Sequence, residues 1–273
     1  MATLKTTKKL TLKELGKPIL IASHPRSGTH LTIDLFRKQF KECQSQKNFG
    51  EPLNRLYCDL DSQNLLSEQD AIKNLSKCER PLVKTHNSPQ FIESASSENL
   101  WVKWLQENAD IYYIIRDGRS VMCSLQLFMQ SYDSLARCSL SEFIRQEFHG
   151  VSRVKHWSDH IQNFLVKPNV KVLKFENIIN NTQSILTEIG EELQLKPLWQ
   201  EPYLPEKANS LWYGRWQRLA KKNSESTAII GYYRGQKVQK WQQVFTPEDR
   251  QFFQIEAGKT LLELDYEQSD NWV

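Results

Sequence analysis

No stretch of this 273-residue chain approaches the ~20 consecutive apolar residues that a membrane-spanning helix needs. The start, Met1 to Lys13, also lacks an apolar stretch before a small-residue cleavage site. It is polar and Lys-rich, so a secretory signal is not expected. Cysteine is sparse. The five thiols (Cys43, Cys58, Cys78, Cys123, Cys138) form no CxxC pair, and an odd number cannot all pair within one chain. That usage fits a reduced, cytoplasmic setting, in which the sequons at Asn74 and Asn180 carry no meaning. Gly and Pro number 10 each and nowhere cluster with Ser into a linker, and no internal repeat is visible. One domain, 18–273, is therefore expected behind a polar arm, 1–17, whose Lys5, Lys8, Lys9 and Lys13 read as solvated. Net charge is only +4, which argues against a general nucleic-acid binder. It permits, without demanding, a protein that holds one polyanionic cofactor.

What is present is an alternation of short apolar runs with segments of helical period, the mark of βαβ units. Pro18 to Ala22 reads as a buried strand, and Ile33, Phe36 and Phe40 then mark a helix. Pro81 to Lys84 is a second strand. Ile111 to Ile115 is the strongest, apolar on both faces as an inner parallel strand should be. Val121, Leu125 and Phe128 mark the helix after it. Val170 to Phe175 gives a further strand, followed by a helix through Ile185, Ile189 and Leu193. Thr246-Pro-Glu-Asp249 supplies an N-cap, a Pro at the first helical position and first-turn acids, so a last helix should run to about Leu262. The expected fold class is α/β, a central, mostly parallel sheet flanked by helices. Ligands of such sheets bind beyond the carboxyl ends of the strands, so the polar residues that follow each strand matter most.

Three segments occupy those positions. After the first strand comes Ser23-His-Pro-Arg26-Ser27-Gly28-Thr29-His30. A strand, a tight Gly-bearing turn and a helix N-terminus gather backbone N–H groups that favour an anion. Arg26 adds a bidentate donor, and Ser27 and Thr29 add hydroxyls. On this loop alone, a plain βα turn with a capping hydroxyl is an equal reading. The second strand ends in Lys84-Thr85-His86; residues i and i+2 of an extended segment share a face, and imidazole is a suitable general base near neutral pH. The third strand runs into Arg116-Asp117-Gly118-Arg119-Ser120-Val121, with Ser124 one turn into the next helix, a pair able to hold a second phosphate.

Together these segments resemble the sulfotransferase family that uses 3′-phosphoadenosine 5′-phosphosulfate (PAPS). Pro25-Arg26-Ser27-Gly28-Thr29 is similar to the family's 5′-phosphosulfate loop, and Lys84-Thr-His86 to its Lys-Thr-His motif. Tyr113 to Val121 with Ser124 resembles its 3′-phosphate motif. Trp157-Ser-Asp-His160 is similar to a Trp-x-x-His stretch, and Lys174-Phe175-Glu176-Asn177 sits where Tyr-Glu-Asp is usual. Tyr233-Arg234-Gly235-Gln236 resembles the C-terminal Arg-Lys-Gly loop. The likeness runs from about Pro18 to Leu262 with the motifs in order. It implies a P-loop-like sulfotransferase fold, with PAPS as donor, PAP as product and no metal. Arg26, Ser27, Gly28, Thr29, His30, Leu31, Arg116, Ser124, Arg234 and Gly235 would bind the cofactor, while His86, Lys84 and Arg26 would be catalytic. The implied reaction is in-line transfer to a hydroxyl or amine of a small acceptor, with His86 taking the proton. Arg26, Lys84 and the loop amides would meet the charge that grows on the leaving oxygen. A metabolite or natural product is favoured as acceptor, with a glycolipid or saccharide hydroxyl as the alternative.

The chain also departs from the family pattern. Arg26 replaces the loop's usual Lys, Leu31 an aromatic that stacks on adenine, and Phe175 a Tyr near the base. Gly235-Gln236 stands where Lys-Gly is common. Gln242, Thr246, Pro247 and Gln251 do not match the short dimer motif, so that dimer mode is not implied. Several other features point to no chemistry of their own. His156 and His160 stand at i, i+4 with no third ligand and read as structural. Glu51, Asp59 and Asp61 read as a solvated loop, of interest only with a cationic acceptor. The aromatic run Trp199, Tyr203, Trp212, Tyr213, Trp216 reads as core or lid packing before it reads as a ligand box. Of the competing functions, a phosphoryl transferase would need GxxxxGK[ST] and a metal-holding Asp, which are missing. A non-catalytic scaffold would have no use for Arg26, Lys84, His86, Arg116 and Ser124 together.

Overall fold

The computed structural model describes residues 10–44, 57–61, 65–198, 200 and 240–273. The expected strands are there, with edges moved by a residue or two: β1 (Ile19–Ser23), β3 (Leu82–Thr85), β4 (Asp110–Ile115) and β7 (Val170–Lys174). A two-residue strand, β2 (Cys58–Asp59), is too short to have shown a period. All five lie parallel in the order β2-β3-β1-β4-β7. Successive strand residues face opposite sides, and each side has its own core. Ile19, Ile21, Tyr112 and Ile114 pack on α1 (Thr29–Gln39) through Ile33, Phe36 and Phe40. Leu20, Ala22, Tyr113 and Ile115 pack on the other side, with Trp101 and Trp157.

Parallel strands need crossover connections. The chain supplies them as α1, α2 (Glu68–Leu75), α3 (Pro89–Glu98), α4 (Leu100–Asn108) and α5 (Gly118–Met129). Further on come α6 (Leu140–Arg145) and a small antiparallel hairpin, β5 (Glu147–Phe148) with β6 (Val151–Ser152). Then follow α7 (Arg153–Leu165), α8 (Phe175–Asn180) and α9 (Thr182–Leu193). After residue 239 come α10 (Trp241–Val244) and α11 (Pro247–Glu263). The Thr246 signal works as read: its hydroxyl accepts from Asp249 N–H and the Asp249 carboxylate returns to Thr246 N–H, a capping box around Pro247. Phe175, read as the end of a strand, instead opens α8.

The strand order has one functional consequence. From the central β1, the chain builds β2 and β3 on one side and β4 and β7 on the other. The order therefore reverses at the carboxyl end of β1, where open α/β sheets hold their ligands. The Arg26 loop follows β1, His86 follows β3 and Arg116 follows β4. All three segments meet at this one switch point.

Candidate active site

The β1–α1 loop is tightly wound. Arg26 has φ 71° and Gly28, the N-cap of α1, φ 108°. A left-handed Arg costs about 1 kcal/mol, the kind of strain that structures keep at functional sites. Gly28 is needed by the packing of the turn itself: a Cβ there would stand 2.5 Å from the Phe175 ring. Thr29 Oγ1 and Ser23 Oγ hydrogen bond at 2.5 Å. The first helical turn leaves the N–H groups of Thr29, His30 and Leu31 without intrahelical acceptors. Ser27 Oγ is buried and has no hydrogen-bond partner among the described residues. A buried hydroxyl costs free energy unless something bonds it, so this loop carries a donor awaiting an acceptor. The chemistry of the loop, two hydroxyls, a guanidinium and converging amides, suits a phosphate or sulfate.

The second cradle touches the first. Arg116 Nη1 donates to Arg26 O at 3.0 Å, and Arg26 Nε donates to Ser124 Oγ at 3.3 Å. The Arg116 guanidinium lies 4.6 Å over Phe175 and that of Arg26 4.7 Å over Phe128. Phe175 therefore sits against Gly28 and Arg116, between the two cradles. Asp117 caps α5 by accepting from Arg119 N–H. Buried Arg119 pairs with Asp117 and Glu267 and is covered by the rings of Trp241 and Trp272. Glu176 accepts from Asp117 N–H and from Tyr266 OH at 3.2 and 2.9 Å, tying the same turn to the C-terminal segment.

His86 stands beside the first cradle. Its Nδ1 lies 2.8 Å from Ser23 O and 3.4 Å from Ser23 Oγ. A carbonyl only accepts, so Nδ1 carries the proton and Nε2 keeps its lone pair. Burial, and then the Lys84 ammonium, hold the imidazole below its ordinary range, so it is neutral at pH 7. His30, read as a cofactor residue, turns its ring to Tyr57, with Nε2 2.9 Å from the phenol oxygen. Burial and Lys84 push it down to about 3. Leu31 is partly buried against the α1 core.

Two expectations are corrected. Asp59 and Asp61, read as a solvated loop, hold the buried Lys84: Nζ lies 3.2 Å from Asp59 Oδ2 and 2.7 Å from Asp61 Oδ2. Asp61 Oδ1 also accepts from Thr85 Oγ1 at 3.0 Å and from His86 N–H at 2.6 Å. Burial would raise the Asp61 carboxyl, but His86, Lys84 and these bonds hold it below its ordinary value. The signal for Asp61 was its place just past a strand end, hidden because β2 is so short. His160, read as structural, lies at the site. It donates from Nε2 to His86 O at 2.9 Å. His24 is buried against His156 and His160, with centroids 5.5 and 5.6 Å away. Arg234, Gly235, Glu51 and the aromatic run 199–216 lie outside the described residues. Among the described residues, no helix is long and apolar enough to cross a membrane.

The switch point gathers an anion-binding type of turn, a neutral imidazole and a second cationic cradle, an arrangement whose chemistry suits group transfer from an anionic donor. The family model for the sulfotransferase domain matches residues 17–262, so the chain belongs to the sulfotransferase family. Among solved structures it is similar to a mouse sulfotransferase, SULT7A1, complexed with PAP. The identity is 16 %, the TM-score 0.55, and the likeness covers 95 % of this chain and 92 % of that one. It is also similar to a retinol dehydratase in complex with androsterone and inactive cofactor PAP, again at 16 % identity. There the TM-score is 0.57, covering 92 % of this chain and 81 % of that one. At such identity these likenesses concern the fold alone. The sequence matches none of the curated proteins.

Proposed function

We propose that the chain transfers a sulfuryl group from PAPS to a hydroxyl or amine of a small acceptor, with His86 as the general base. The observation that carries this is the meeting of three strand-end segments: Arg116 bonds the Arg26 carbonyl, Arg26 bonds Ser124, and His86 bonds the Ser23 carbonyl at the root of the same loop. The fit of a donor rests on the orphaned Ser27 hydroxyl and the cationic turn around it. The structural neighbours crystallised with PAP support the same reading.

Bound there, PAPS supplies an activated sulfuryl group whose leaving oxygen belongs to the 5′-phosphate. In this reading Ser27, Gly28, Thr29, His30 and Leu31 present hydroxyls or backbone amides to the 5′ end, and Arg116 with Ser124 holds the 3′-phosphate. Arg26 and Lys84 meet the charge that grows on the leaving oxygen. Arg cannot surrender a proton, so Arg26 acts by charge alone. His86 accepts the acceptor's proton at Nε2, already neutral and already the correct tautomer. Arg234 and Gly235 complete the cofactor residues by resemblance. The five cysteines are all free thiols, in keeping with a cytoplasmic enzyme.

Calorimetry with PAP in the absence of magnesium tests the reading. One PAP should bind per chain, and Arg26→Ala and Arg116→Ala should each weaken it about tenfold or more, the loss of a charge-assisted hydrogen bond. Binding of ATP with magnesium, and none of PAP, would turn the assignment to a phosphoryl transferase. A screen of hydroxylated and amine-bearing molecules, saccharides included, with labelled PAPS then identifies the acceptor.

A further inference from the structure

A base that must meet a substrate proton needs its ring fixed in angle, tautomer and basicity. The Arg26 loop and the sheet account for only part of that. His86 lies one residue beyond β3, where the ladder no longer holds its backbone, yet each of its inward polar groups is taken. Its N–H donates to Asp61 Oδ1 at 2.6 Å, its carbonyl accepts from His160 Nε2 at 2.9 Å, and Nδ1–H donates to Ser23 O at 2.8 Å.

The two outer partners are themselves fixed. Because His160 donates from Nε2, its Nδ1 must accept, and Tyr113 OH lies 2.6 Å from it. Burial keeps the Tyr113 phenol protonated, so it has that proton to give. The His160 ring stacks on Tyr113 and packs against Phe164, with centroids 5.7 and 5.5 Å away. Burial holds His160 down to about 4, so this tautomer is neutral. Asp61 engages three consecutive residues, Lys84 through Nζ, Thr85 through Oγ1 and His86 through N–H.

We infer that Asp61 and His160 are positioning residues of the sulfuryl transfer: they act through His86, one on its backbone N–H and its charge, the other on its carbonyl. The inference rests on the assignment of His86 as base. Its charge logic involves every ionisable group near the ring. After burial, Lys84 on β3 disfavours the imidazolium, whereas Asp61 just past β2 and Asp59 on β2 favour it. His24 after β1, His30 on α1 and His160 on α7 are themselves held below their ordinary range and stay uncharged at pH 7. Asp61 also neutralises the nearest cation, Lys84. Without its charge, Lys84 would weaken the base directly.

The test is an imidazole ¹⁵N NMR titration of the full chain with His86 assigned by its loss in His86→Gln. Asp61→Asn keeps the side-chain volume and an acceptor for the His86 N–H. It should lower the His86 pKa by about one unit and leave the Nδ1–H tautomer in place. In parallel, release of labelled sulfate from PAPS to water, with no acceptor added, reads the chemistry. His160→Phe keeps the ring packing but removes the donor, and should cut the rate up to about 100-fold at unchanged KM for PAPS. His160→Gln, which can still donate, should recover most of it. If Asp61→Asn is too unstable to titrate, the His160 pair decides alone. An unmoved His86 pKa in Asp61→Asn, or a His160→Phe rate equal to wild type, overturns the inference while the base stands. A His86→Gln chain that releases sulfate at the wild-type rate overturns the base itself.

Discussion

Gly28→Ala probes the loop on which everything else depends. Gly28 sits at φ 108°, outside what Ala tolerates, and a new Cβ would lie 2.5 Å from Phe175 Cδ2. The backbone term costs about 1 kcal/mol and overpacking against the partly buried Phe175 ring about 2 kcal/mol, roughly 3 kcal/mol together. At about 2 °C per kcal/mol for a domain of this size, the melting temperature should fall by about 6 °C. Phe175→Ala identifies the contact. In a double-mutant cycle, Gly28→Ala and Phe175→Ala should couple by about 2 kcal/mol, because the second change removes the obstacle met by the first. The backbone part should persist, and with it a loss of PAP-induced stabilisation, since the amides of the turn no longer converge. Differential scanning calorimetry with and without PAP reads both effects. A Gly28→Ala chain that melts within a degree of wild type, or a coupling near zero, would refute the loop geometry.

The remaining predictions concern single groups. Ser27→Ala removes a buried hydroxyl with no partner among the described residues, so the free chain should keep or slightly gain stability. PAP affinity measured by calorimetry should fall about tenfold; an unchanged affinity would mean that the hydroxyl does not serve the donor. Acid should unfold the chain early. His24, His30, His86, His156 and His160 all have folded pKa values below their ordinary one, with burial the largest cause in each. The folded state therefore refuses protons that the unfolded chain binds. Stability is full above about pH 6.5, falls as pH drops below it, and levels off only below each folded value. His160, held down to about 4, alone contributes on the order of 3 kcal/mol. A urea midpoint that stayed constant from pH 7 to pH 5 would contradict this.

Much of this was legible because strand ends carry the chemistry. Apolar runs at Ile19, Leu82 and Ile111 announced three adjacent strands, and the polar residues just beyond them were Arg26, His86 and Arg116. The capping box at Thr246 was readable because its pattern is local. Two kinds of residue escaped. Asp61 follows a strand of only two residues, which shows no period, so its carboxylate read as solvated when three neighbouring groups bond it. His160 lies on a helix with a clear apolar face, where a histidine reads as core. Its bond to the His86 carbonyl joins residues 74 positions apart, and no spacing rule reaches that far. Gly28 was legible as the glycine of a tight turn, but its contact was not: Phe175, more than a hundred residues away, occupies the space a side chain would take.

A crystal structure of the chain with PAP tests the shared nucleotide most directly. The 5′-phosphate should lie in the turn Arg26–Thr29 within hydrogen-bond reach of Ser27 Oγ, and the 3′-phosphate of the same molecule at Arg116 and Ser124. His86 Nε2 should face the 5′ end. Phosphates found in separate clefts, or a His86 ring turned away from the 5′-phosphate, would contradict it.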